Sequence, residues 1–98
     1  MFDAMKALMD MQRKMQEMKR ELENISIEAA SADGAVKITM NGAQELKDIS
    51  IAADIQGADK KGLERAIKDA YNKATQQARD IAAKKMKDIT GLNLPGLL

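Results

Sequence analysis

The first twenty-five residues, MFDAMKALMDMQRKMQEMKRELENI (Met1–Ile25), repeat in blocks of seven. The first position of each block is Met1, Leu8, Met15 and Leu22, and the fourth is Ala4, Met11, Met18 and Ile25. Apolar residues at alternating three- and four-residue spacing predict the seam of a helix that packs on another helix. Each full block also carries an acid at its third position (Asp3, Asp10, Glu17) and a base at its sixth (Lys6, Arg13, Arg20). Such pairs lie three residues apart on the outer face and support the helix by about 0.2–0.5 kcal/mol each. No glycine or proline interrupts the run.

Beyond Ile25 the period falls to two. Ile25, Ile27 and Ala29 alternate with Ser26, Glu28 and Ala30, and Ala32-Asp33-Gly34 supplies turn chemistry. Val36, Ile38 and Met40 then alternate with Lys37, Thr39 and Asn41, which predicts a hairpin with one apolar face. Asn41-Gly42 marks a second turn, and Ile49, Ile51 and Ala53 predict a third strand. Leu46 falls on the opposite parity, so a bulge is expected at that strand's start. Asp59 after Gly57-Ala58 suits an N-cap, and Leu63, Ile67, Ala70, Ala74, Ala78 and Ile81 recur at helical spacing. Gly91 is the expected stop, after a last turn containing Lys87. Residues 1–91 thus read as one α+β domain of order α-β-β-β-α with a three-stranded antiparallel sheet, and residues 92–98 as a short tail.

Length then constrains assembly. A helix of about thirty residues is roughly 45 Å long, whereas a compact chain of about 100 residues has a radius of gyration near 13 Å. The second helix must overhang its own body. The N-terminus of the first helix and the C-terminus of the second are expected to project together as an antiparallel arm. Three strands are too few to cover both helices, which predicts a homodimer joined through sheet and helix bases. Leu8, Met11, Met15, Met18 and Leu22, with Ile38 and Met40 from the sheet, are the expected residues of dimer and helix packing.

Composition excludes several chemistries. The 98 residues include no Cys and no His, which removes disulfides, thiolate nucleophiles, imidazole bases and the usual zinc ligands. Sixteen basic and fifteen acidic residues leave a net charge of +1, unevenly spread: residues 1–24 are neutral, 25–58 carry −3 and 59–98 carry +4. No signal-peptide pattern opens the chain and no apolar run is long enough to span a bilayer, so a soluble cytoplasmic protein without a membrane partner is expected. Met5, Met9, Met11, Met15 and Met18 carry thioethers that could hold Cu(I), but their alternation with Leu and Ile reads as packing, and no metal or cofactor is expected. The carboxylates all have helical pairing or capping roles open to them, no glycine-rich phosphate loop is present, and no enzyme activity is expected.

Lys61, Arg65, Lys68 and Arg79 lie opposite the apolar side of the second helix, and Lys84, Lys85 and Lys87 crowd its far end. Pairs are available at four-residue spacing, Glu64 with Lys68, Asp69 with Lys73 and Asp80 with Lys84, so pattern alone describes an ion-paired solvated face. The order of a Met- and Gln-rich heptad helix, the strand VKITMNG (Val36 to Gly42), a short third strand and DKKGLERAIKDAYNKA leading a basic helix resembles the YbaB/EbfC family of bacterial nucleoid-associated proteins. The resemblance implies a small cytoplasmic, nucleoid-associated homodimer whose long helices protrude and bind double-stranded DNA. Ala52-Ala53 stands where the family strand commonly ends in Asp-Pro, and the tail proline is reduced to Leu94-Pro95-Gly96. On that resemblance the expected DNA contacts are Lys6, Arg13, Arg79, Lys84, Lys85 and Lys87, made to phosphate with weak sequence preference. Phe2 and Tyr71 are the only aromatic residues, too few for single-strand binding by base stacking. The alternative is a dimeric helical adaptor that binds a DNA-processing protein partner without touching DNA, through methionines suited to an adaptable apolar surface.

Overall fold

A computed structural model describes residues 2–52 and 59–90. Helix α1 spans Phe2–Glu23, strands β1, β2 and β3 span Ser26–Ala30, Val36–Asn41 and Leu46–Ile51, and helix α2 spans Lys60–Thr90. The strands form one antiparallel sheet in the order β1-β2-β3. This is the α-β-β-β-α arrangement that the change of period predicts. The expectations for Ala53, Gly57, Ala58, Gly91 and the tail fall outside the described residues.

The period-two residues form one buried layer. Ile27 and Ala29 of β1 and Val36, Ile38 and Met40 of β2 face α2, which contributes Ala66, Ala70, Ala74 and Ala78 at four-residue spacing. Alanine has no side chain beyond Cβ, so α2 lies close on the sheet while Ile38 and Met40 fill the space between. Full burial of each of those larger side chains contributes about 1.5–3 kcal/mol. Ala66 and Ala82 join the buried row, whereas Leu63, Ile67 and Ile81 pack only at its margins. Small alanines at the centre of the seam let helix and sheet approach closely, and the larger side chains flank that contact.

Turn chemistry holds the connections. Gly34 takes φ 74° in the β1–β2 turn, the left-handed region that glycine enters without a steric penalty. The bulge predicted near Leu46 is present, since Thr39 pairs with Asp48 and Met40 with Leu46, leaving Lys47 as the extra residue. Asp59 caps α2, its Oδ1 accepting from the Lys61 amide at 3.1 Å and its carbonyl from the Leu63 amide at 3.0 Å. The Asn41-Gly42 turn forms, but its left-handed residue is Gln44 (φ 66°). Gly42 answers to packing instead. A Cβ there would stand 2.8 Å from the Leu22 carbonyl oxygen.

Both helices outrun the sheet. The described residues extend 67 × 23 × 15 Å with a radius of gyration of 18.1 Å, well above the roughly 13 Å of a compact chain this long. Leu22 is buried against the body, and Met15 and Met18 are half-buried. Lys85 of α2 meets Glu21 of α1 at 2.9 Å, and Asp88 and Ile89 line one shallow depression with Lys14 and Met18. The helices therefore run antiparallel, and the last turns of α2 lie beside Lys14–Met18. Residues 2–13 of α1 continue about 18 Å further.

Candidate nucleic-acid interface

Charge separates the two helices of this arm. Residues 2–23 carry five bases and five acids, whereas residues 79–90 of α2 carry four bases against Asp80 and Asp88. Within the arm the positive excess therefore sits on α2, whose residues 60–78 over the sheet are also basic. Arg79, Lys84 and Lys87 are exposed in its distal third, and among the described residues none of them forms an ion pair. Lys84 and Lys87 are three residues apart, so one helical turn presents both.

The remaining candidates divide. Lys6 is exposed on the α1 overhang, with no ion pair among the described residues, while Arg13 reaches Asp10 at 3.4 Å in a solvent-exposed contact. An exposed pair of that geometry is worth at most about 1 kcal/mol and opens readily for a phosphate. Lys85 differs. Its side chain is 29% exposed and its ammonium donates to Glu21 across the α1–α2 seam at 2.9 Å, so it joins the two helices. The heptad pattern assigned Glu21 no partner, and the residue that pairs with it lies 64 positions away.

The expected four-residue pairs form only in part. Asp69 and Lys73 meet at 3.1 Å, but Asp80 accepts from the Gln76 side-chain amide at 2.9 Å and, among the described residues, makes no ion pair with Lys84. No ion pair joins Glu64 to Lys68 among the described residues. Lys14, Lys19 and Arg20, exposed along the same arm, were not among the expected contacts. Their signal was present in the heptads, at positions off the apolar seam, but each lies near an acid of the same helix.

Two carboxylates have shifted acidities, and both lie at the base. Hydrogen bonds from the Ser31 hydroxyl (2.6 Å) and the Ala35 amide (3.0 Å) hold Asp33 below the usual carboxylate range. Asp69 is held low by the Ala32 amide (2.9 Å) and by Lys73, against desolvation and the like charge of Asp33. Asp33 braces the β1–β2 turn from within, and Asp69 ties that turn to α2. Among the described residues no group of three or more acids is placed to hold a metal ion, and no helix is long and apolar enough to cross a membrane.

Two apolar surfaces remain uncovered. On α1, Met5, Leu8 and Met9 are more than 60% exposed, and Met11 is 39% exposed; Leu8 and Met11 continue the seam that α2 covers lower down. On the sheet, every residue of β3 is exposed. Ile49 and Ile51 stand opposite the buried Ile38 and Val36 but lie beyond the cover of α2.

Comparison with known proteins bears on this arrangement. The model of a family described as the YbaB/EbfC DNA-binding family matches residues 1–93. A nucleoid-associated protein of Gloeothece citriformis is 38% identical over a 100-residue alignment covering 97% of this chain and 84% of its own. One from Dictyoglomus thermophilum is 36% identical over 96 residues, covering 96% and 92%. The crystal structure of an uncharacterized Helicobacter pylori protein superposes with a TM-score of 0.81 at 20% identity, covering 93% of this chain and 98% of that one, a likeness of fold.

Proposed function

The chain belongs to the YbaB/EbfC DNA-binding family, and from that premise we propose that it binds double-stranded DNA as a homodimer, chiefly through backbone phosphates. The observation that carries this reading is the cations Lys84 and Lys87 on the overhang of α2, with Arg79 exposed where α2 leaves the sheet, none of them in an ion pair among the described residues. Lysine and arginine reach phosphate oxygens without reading base edges, so sequence preference is weak and affinity depends on salt. Lys6, and Arg13 once it leaves Asp10, extend the contact along α1. Lys85 contributes indirectly by joining the helices. A protein of this kind works in the cytoplasm at the nucleoid, where it organises the chromosome and affects expression of the genes it covers.

The uncovered face of β3 supports the dimer. Ile49 and Ile51 extend the apolar layer of Val36 and Ile38 past the edge of α2, and a second copy packed there would cover them. Dimerisation brings two arms to one duplex. Met5, Leu8, Met9 and Met11 favour the second reading, an adaptor whose exposed apolar stripe docks a DNA-processing protein.

Fluorescence anisotropy with a short labelled duplex at rising salt separates the two. A phosphate binder weakens steeply with salt and binds random and chosen sequences alike. An adaptor shows negligible duplex affinity even at low salt and retains a protein partner instead.

A further inference from the structure

The last carbonyls of helix α1 look past the end of the helix for partners. The Asn24 amide donates to the Arg20 and Glu21 carbonyls and the Ile25 amide to the Leu22 carbonyl, which closes the last turn without tying it to the sheet. What fixes its end lies in the β2–β3 turn. The Gly42 amide donates to the Leu22 carbonyl at 2.8 Å, and the Asn41 side-chain amide donates to the Glu23 carbonyl at 3.3 Å. Asn41 is held in its turn. Its Oδ1 accepts from the Ala43 and Glu45 amides at 3.0 and 2.9 Å, its Nδ2 donates to the Glu45 carboxylate at 2.7 Å, and the residue is 3% exposed.

We propose that the Asn41-Gly42 turn is the positioning device of the arm, clamping the C-terminal carbonyls of α1 and so setting the direction in which α1 presents its cations to DNA. The inference rests on the DNA-binding reading for its consequence but not for its geometry. Gly42 allows the approach because a Cβ would stand 2.8 Å from the Leu22 oxygen and 3.0 Å from its Cδ2. Backbone cannot yield there as a flexible side chain would. The twenty helical steps from Glu23 back to Asp3 make a lever of about 30 Å, so each degree of rotation at the clamp moves the far end by about 0.5 Å. The seam of Leu22, Met18 and the Glu21–Lys85 pair restrains α1 sideways, but the two carbonyl contacts act at its base.

The chain has no cysteine, so spin labels placed by Gln12→Cys and Ala83→Cys report the separation of the two helices directly. Gly42→Ala forces the Leu22 carbonyl away. Asn41→Asp keeps the acceptor that organises the turn but loses the donor to Glu23, and it sets a carboxylate beside Glu45. In either variant the distance between labels shifts by more than about 3 Å or its distribution broadens, with the sheet's circular dichroism retained. Duplex affinity falls about tenfold, as expected when one or two phosphate contacts per arm go out of register. If Gly42→Ala does not fold, Asn41→Asp decides. An unchanged distance in the variant that folds overturns the clamp. A shifted distance with undiminished affinity overturns its role in presenting the arm while leaving DNA binding intact. Unaltered protein that ignores duplex at low salt removes the functional reading, and the label distance still decides the clamp.

Discussion

A methyl group at Gly62 would meet nothing closer than the Asp59 carboxylate at 3.5 Å, an ordinary contact, although the residue sits in the first turn of α2. Glycine there lowers stability with no steric return, so Gly62→Ala raises it by about 0.5–1 kcal/mol, read as a higher urea midpoint at unchanged slope. Gly42 looks equivalent in sequence and is its opposite in structure. Asn-Gly reads as turn chemistry, but the Leu22 oxygen that demands the glycine comes from a helix twenty residues earlier, and no local pattern reports that approach. Asp69 gives a second test at this scale. Its carboxyl is held below the ordinary Asp range in the folded chain, so between the unfolded and folded values the unfolded chain binds more protons. That part of the stability is present above about pH 4 and is lost as pH falls through the folded value. Asp69→Asn keeps an acceptor for the Ala32 amide but does not titrate, so the acid limb of its stability curve is shallower. An acid limb as steep as in the unaltered protein would show that the Ala32 and Lys73 contacts do not persist in solution.

Periodicity made the elements legible. The seven-residue repeat over Met1–Ile25 predicts α1, the alternation over Val36–Asn41 predicts β2, and the misplaced parity of Leu46 locates the bulge, because side-chain direction follows backbone period in each case. What periodicity could not show was which apolar residues would be covered. Val36, Ile38, Ile49 and Ile51 share one face of the sheet, yet α2 buries the first two and leaves the others more than 40% exposed. Coverage depends on where a helix crosses, a tertiary choice absent from the strand pattern. It also separates the proposed dimer surface from the protomer core. Ile49→Lys should therefore leave the protomer folded, at a cost below about 1 kcal/mol, since the side chain already meets solvent. Light scattering checks the outcome: about twice the 10.7 kDa chain mass for the unaltered protein and one chain mass for the variant. A variant that stays dimeric would move the interface away from β3.

At the scale of the whole molecule, function follows from a near-neutral chain whose charge is separated along 67 Å. A net charge of +1 predicts little attraction to a polyanion at long range, so the proposed binding rests on local contacts that displace counterions from phosphate. The sequence revealed the basic end of α2 but not which of its cations are free, because the Glu21–Lys85 and Gln76–Asp80 contacts redistribute partners among Lys84, Lys85 and Lys87. Salt dependence resolves that distribution. Lys6, Arg79, Lys84 and Lys87 supply about eight cations in a dimer, and if all meet phosphate the logarithm of affinity falls against the logarithm of salt with a slope of about −7. Reversal of Lys84 and Lys87 to glutamate removes half of them, so the slope shrinks to about −3.5 or less and affinity collapses at moderate salt. Lys85→Gln is the control that this geometry singles out. It breaks the α1–α2 pair, so the helices loosen and affinity drops somewhat, but the slope stays where it was. If Lys85 were instead a phosphate contact, its loss from both protomers would reduce the slope by about 2. Matching the Lys85 slope to that of the unaltered protein thus tests whether the arm is held together by the same charges that it offers to DNA or by a separate one.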